Sequence, residues 1–187
     1  MMEEVTHVLE VLTRARYALE QEDTKQLREL SDRTIHSASV YQHTDYILVA
    51  TIIYTLSKIV ERKDKINIKN WNQFLKEISN LLSLSITALQ MGKHSQFIKF
   101  LSKTKYYMEN ISEDIKPFIE ELLRKASINK ASKVYEHGIS LAKTTKLLGV
   151  TPWELSEYIG EKESPQIRLN KTIDAKTRVQ IAMEFFK

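Results

Sequence analysis

Four consecutive residues, Gly149-Val150-Thr151-Pro152, constrain this chain more than any others. Glycine reaches the left-handed backbone angles that close a helix tightly. Threonine is a good N-cap, and proline suits the first helical position. One helix must therefore end and another begin within a few residues. The surrounding segment, Leu141 to Gly160, reads LAKTTKLLGVTPWELSEYIG. Its apolar residues Leu147, Leu148, Val150, Leu155 and Ile159 fall where two short helices pack at a steep angle, which is helix-turn-helix spacing. Leu148, Gly149, Val150 and Leu155 are the residues expected to hold that shape.

From Ile139 the run resembles the helix-turn-helix of small prokaryotic regulators and antitoxin-like proteins, common in archaea. Their recurring phrase is matched by Ala142, Gly149, Val150, Trp153 and Glu154, with Thr151 in place of the usual serine. Thr144 and Thr145 depart from it, standing where alanines usually allow close helix contact. The resemblance covers about one eighth of the chain. It implies double-stranded DNA binding, often alongside a protein partner. In such units the second helix enters the major groove. Its outward residues here would be Thr151, Trp153, Glu154, Ser156 and Glu157. Two carboxylates oppose phosphates, although glutamate can accept a hydrogen bond from cytosine. Lys143 and Lys146 on the first helix, and Lys162, Arg168 and Lys171 beyond the second, would contact the flanking backbone.

The charge distribution points the same way. From Arg124 to the end there are 12 basic and 7 acidic residues; before Arg124 there are 16 and 17. The positive excess sits at the end that would approach phosphates.

The rest of the chain predicts an all-α fold. Only four Gly and three Pro occur in 187 residues, so helices are long and connections short. Apolar residues recur at helical steps through Val5, Val8, Leu12, Ala15 and Leu19, and again through Leu27, Leu30, Ile35 and Ala38 in a second helix that Asp23 or Thr24 can cap. The stretch from Ile47 to Val60 is apolar nearly all round. At 14 residues it falls short of the roughly 20 that span a bilayer, so it predicts the central helix of a bundle and not a membrane segment. The charged run Glu61 to Lys65 reads as a connection. A long helix follows from about Ile68 to Met91 with Gly92 past its end, and a fifth is capped at Ser95. Pro117 fixes the start of a sixth, which runs through the Arg124 to Tyr135 region. After Gly160 a polar connector leads to a last helix ending in Phe185 and Phe186. No internal repeat is expected.

Residues 1–123 thus read as a helical bundle for dimerisation or for partner or effector binding, and 124–187 as a basic helix-turn-helix domain. The expectation is a DNA-binding transcriptional regulator working as a homodimer, because paired half-sites add affinity. An antitoxin-like or adaptor-like interaction protein, whose acidic second helix and Trp153 bind a basic partner, is the first alternative. A helical ribonuclease of the HEPN class is the second, suggested by Arg33 and His36, although that class spaces its Arg and His by four to six residues. Enzymatic chemistry is not expected. The chain has no cysteine, and His7, His36, His43, His94 and His137 are scattered without ligand spacing, so neither metal nor cofactor is expected. With no apolar leader, the expected location is the cytoplasm. Lysines alternate with Phe97, Phe100, Tyr106 and Tyr107, but these aromatics fall at helical spacing and read as core.

Overall fold

The computed structural model describes residues 2–41, 45–66, 68–111, 113, 115–136, 140, 142, 145 and 150–163. Among these the protein is all-helical. The helices are α1 (Met2–Glu20), α2 (Thr24–Tyr41), α3 (Asp45–Glu61), α4 (Lys63–Ile66), α5 (Trp71–Gln90), α6 (His94–Glu109), α7 (Lys116–Glu136) and α8 (Pro152–Glu163).

Helix α3 is the centre of the bundle and packs against α1, α2, α6 and α7. Its residues Ile47, Val49, Ala50, Ile52, Ile53, Leu56 and Ile59 are all buried, which accounts for an apolar surface on every side. Two of the buried polar residues in this helix are bonded locally, while the Thr51 hydroxyl has no hydrogen-bond partner among the described residues. Thr55 Oγ1 donates to the Thr51 carbonyl at 2.8 Å, and Ser57 Oγ to that of Tyr54 at 2.7 Å. Across the helix pair, Ser31 Oγ of α2 donates to the Ala50 carbonyl at 2.7 Å. No helix among the described residues is long and apolar enough to cross a membrane.

The architecture repeats although the sequence shows no evident repeat. Glu20 and Gln90 end the first helix of two helical hairpins, and Thr24 and His94 begin the second, in each case seventy positions apart. Both turns close with the same paired bonds. Gly92 N–H reaches the Leu89 carbonyl at 3.0 Å and Lys93 N–H that of Ala88 at 2.9 Å. Glu22 and Asp23 bond the carbonyls of Leu19 and Ala18 at 3.1 and 2.8 Å. This is the left-handed helix stop, with Gly92 at φ 68° and Glu22 at φ 53°. Buried positions recur in the same register: Val8 with Ile78, Leu12 with Leu82, Ala18 with Ala88, Leu27 with Phe97. Thr34 and Thr104 are both buried, each bonded to the carbonyl four residues back. The third helices correspond too, Ile52 and Ile53 matching Leu122 and Leu123. Helix α1 lies on α5 and α3 on α7, and α2 meets α7 as α6 meets α3.

Several local expectations need correction. The run after Glu61 is not a bare connection, because Lys63–Ile66 forms a single helical turn, Lys65 and Ile66 N–H both bonding the Arg62 carbonyl at 2.9 Å. The long helix begins at Trp71, after Asn70 turns left-handed at φ 62°. Lys93, not Ser95, occupies the cap position of α6, since the turn that ends α5 leads directly into it. The cap of α2, by contrast, is as expected: Asp23 Oδ1 accepts from Gln26 N–H at 2.9 Å. Helix α8 continues through Gly160 to Glu163. A single glycine costs a helix about 1 kcal/mol without ending it. The final helix predicted after the connector lies outside the described residues.

Candidate nucleic-acid interface

The hydrophobic core divides along α7. Ile119, Leu122 and Leu123 belong to the main core, whereas Ile128 and Ala131 form a second cluster with Val150 and Leu155. Tyr158 and Ile159 pack on this second cluster. Helix α8 is therefore held on the C-terminal half of α7. Leu155 is fully buried, and Val150 is buried at the start of the segment.

The start of α8 is a capping box. Thr151 Oγ1 accepts from Glu154 N–H at 3.1 Å, and Glu154 Oε2 accepts from Thr151 N–H at 2.8 Å. The Thr151 hydroxyl also donates to Glu154 Oε2 at 2.8 Å. The other oxygen, Oε1, takes a bond of 3.1 Å from Arg124 on α7. These bonds, that from the Thr151 backbone foremost, hold the Glu154 carboxyl below the usual range. Arg124 also forks onto Glu121 at 2.9 and 3.2 Å. With Lys125 beside it, Glu121 is pulled down to about 2.

The predicted interface residues are thus placed unequally. Thr151, Trp153, Ser156 and Glu157 are exposed, Trp153 at 80%. Glu154 is half-buried and its carboxylate is engaged by the cap and by Arg124, so it does not face outward as a free base reader. Lys162 lies on the last turn of α8. Lys143, Lys146, Leu148, Gly149 and Arg168 lie outside the described residues.

Spacing alone missed a groove between α3, α7 and α8, with a volume of about 550 Å3. Tyr54, Lys58 and Arg62 line one side, Lys125 and Asn129 the floor, Glu157 and Tyr158 the other side. Tyr158 accepts from Asn129 Nδ2 at 2.9 Å. Arg62 is stacked 5.6 Å from the Phe118 ring centroid. Lys58 is bonded to Glu61 at 2.7 Å. Behind Tyr54 lies Lys130, fully buried, its ammonium 4.5 Å from the ring centroid. These residues come from segments far apart in sequence, so no local pattern signals them.

The polar group around Arg33 is arranged otherwise. Arg33 faces α1, 3.7 Å from Glu10, and shares a shallow depression with His7. The side chains of His36 and His43 lie outside the described residues. No cluster of metal-ligating side chains occurs among the described residues. Comparison with the profiles of known families, with curated proteins and with solved structures finds no significant match for this chain.

Proposed function

We propose that the protein binds double-stranded DNA through a helix-turn-helix whose second helix is α8, and acts as a transcriptional regulator. The observation that carries this reading is the display of α8. Its apolar side is fixed on Ile128 and Ala131 through Val150 and Leu155, while Trp153, Ser156 and Glu157 face outward. A reading helix needs this combination of rigid seating and an open face. The basic excess of the C-terminal third supplies the attraction to phosphates. The bundle formed by α1 to α6 would pair two copies so that two reading helices meet successive half-sites.

The exposure of Trp153 and the engagement of Glu154 favour a second reading, in which α8 anchors a protein partner. A largely exposed tryptophan is a strong interface anchor. Fluorescence anisotropy of the full chain with mixed-sequence duplex DNA, over a salt series, tests both. The DNA reading expects salt-dependent binding that weakens on Lys143→Ala plus Lys146→Ala. Absence of binding at low salt would sink it and leave α8 as a protein-binding face. In that case Trp153→Ala removes partner capture.

A further inference from the structure

We propose that the groove between α3, α7 and α8 is a binding site for a small phosphorylated ligand carrying a planar ring, a nucleotide being the type. This inference does not rest on DNA binding by α8. The first argument is shape. At about 550 Å3 the groove falls within the range of small-molecule sites, roughly 300 to 1,000 Å3.

The second argument is charge. Of the cations that line the groove, Lys58 is paired with Glu61 and Arg124 with Glu121 and Glu154, which leaves Arg62 and Lys125 to meet an anion, with Glu157 opposite. Glu154 is already bonded by Arg124 and by the Thr151 backbone. Lys125 is 70% exposed, with Glu121 at 3.2 Å. Exposed pairs of this kind are weak, so a phosphate can displace the carboxylate without large loss. Arg62 is held by stacking on Phe118, which leaves its guanidinium N–H groups for an anion.

The third argument is the pair of tyrosines, one on each side. Tyr54 has Lys58 and Lys130 ammonium groups 5.7 and 4.5 Å from its ring centroid. Tyr158 faces the same space from α8, held by Asn129. Two tyrosines beside Arg62 and Lys125 suit a planar ring joined to phosphates. Glu157 on the α8 rim opposes a long phosphate backbone crossing the groove, so a compact ligand is favoured over a duplex. Because α8 is one wall, an occupant would bridge α3 and α8 and hold α8 on the bundle.

The test is isothermal titration calorimetry of the full chain with sodium ATP, adenosine and pyrophosphate at low ionic strength. ATP is expected to bind more tightly than either adenosine or pyrophosphate by about fivefold or more. Arg62→Ala plus Lys125→Ala, a surface pair whose folding is checked by thermal melting, is expected to weaken ATP by about tenfold or more. Amide exchange in α8 should slow on adding ATP. The proposal is overturned if millimolar ATP gives no binding, or if the double variant binds ATP as the native chain does. It is equally overturned if adenosine or pyrophosphate alone matches ATP.

Discussion

Lys130 Nζ lies 2.8 Å from Asp32 Oδ1, joining the C-terminal half of α7 to α2 across 98 positions of sequence. Lys133 donates to the same oxygen at 2.7 Å. The lysine is fully buried and the aspartate side chain about half exposed. Burial presses the Lys130 ammonium toward its neutral form, the bond to Asp32 opposing this incompletely. Burial would raise Asp32, but the bonds from Lys130 and Lys133 outweigh it and hold its carboxyl low.

That asymmetry makes the two partners unequal on removal. Asp32→Ala leaves a charge in the interior and is expected to cost about 2 to 3 kcal/mol, somewhat below a fully buried pair because water reaches the aspartate. Lys130→Met fills the same space without charge and leaves Asp32 with Lys133, so it should be near neutral. Urea denaturation of both variants measures the contrast. Equal losses would mean that the ion pair, not the burial, governs this contact.

Acid stability follows from the same carboxylates. Asp32, Glu22, Glu121 and Glu154 all have folded-state affinities for protons below their ordinary values. The unfolded chain therefore takes up protons first as pH falls. Their contribution is fully present above the unfolded values, about pH 4, and is lost as pH falls through the folded ones. Melting temperature should ease slightly below about pH 6.5, where burial and then Arg33 disfavour a proton on His7, and drop further from about pH 4.5 toward 2. Asp32→Asn should flatten part of that drop. A pH-independent melting temperature down to about pH 3 would contradict the ion-pair geometry.

Glu22 occupies a left-handed position that usually belongs to glycine, and its counterpart seventy residues on is Gly92. Its carboxylate is retained there by Lys63 and by Trp71 Nε1, the latter at 2.7 Å. These two bonds, Lys63 first, hold it below the normal range. Glu22→Ala loses both bonds and keeps the backbone strain, for an expected cost of about 1 to 2 kcal/mol. Glu22→Gly relieves strain of about 1 kcal/mol and should be less harmful by that amount. Denaturant midpoints of the two variants decide it; equal values would show that strain at φ 53° is negligible.

Gly160 lies inside α8, where an added Cβ meets nothing within 4 Å. Gly160→Ala should therefore stabilise the helix by up to about 1 kcal/mol. Slower amide exchange across Tyr158 to Glu163 is the expected signature. Faster exchange would mean that the helix does not extend past Gly160.

Which of these features were legible in sequence depends on how far apart their parts lie. Gly92, Asp23 and Pro117 act on their own few neighbours, so helix ends could be read from them. The capping box was readable as Thr151 followed three positions later by Glu154, although only packing shows that Arg124 holds the second oxygen. The repeat at seventy residues escaped because it is carried by burial at pairs such as Leu12 with Leu82 and Leu27 with Phe97, not by runs of identity. The groove escaped for a stronger reason: Tyr54, Lys125 and Tyr158 meet only when α3, α7 and α8 pack. Even Gly160 misled, since glycine weakens a helix without terminating it.

Leu155 and Trp153 sit two positions apart on α8 and face opposite surroundings, the first fully buried and the second 80% exposed. Leu155→Ala removes the main apolar contact with Ile128 and Ala131 and should cost about 2 to 3 kcal/mol locally. Trp153→Ala removes a side chain that packs little and should leave melting unchanged within about 0.5 kcal/mol. Their effects on binding then separate two sources of recognition. If the seated helix is what DNA requires, Leu155→Ala weakens duplex binding through loss of rigidity, with faster amide exchange confined to α8. If Trp153 is itself the anchor, its removal abolishes binding while that exchange is unaltered. A protein in which neither variant changed binding would place recognition away from α8.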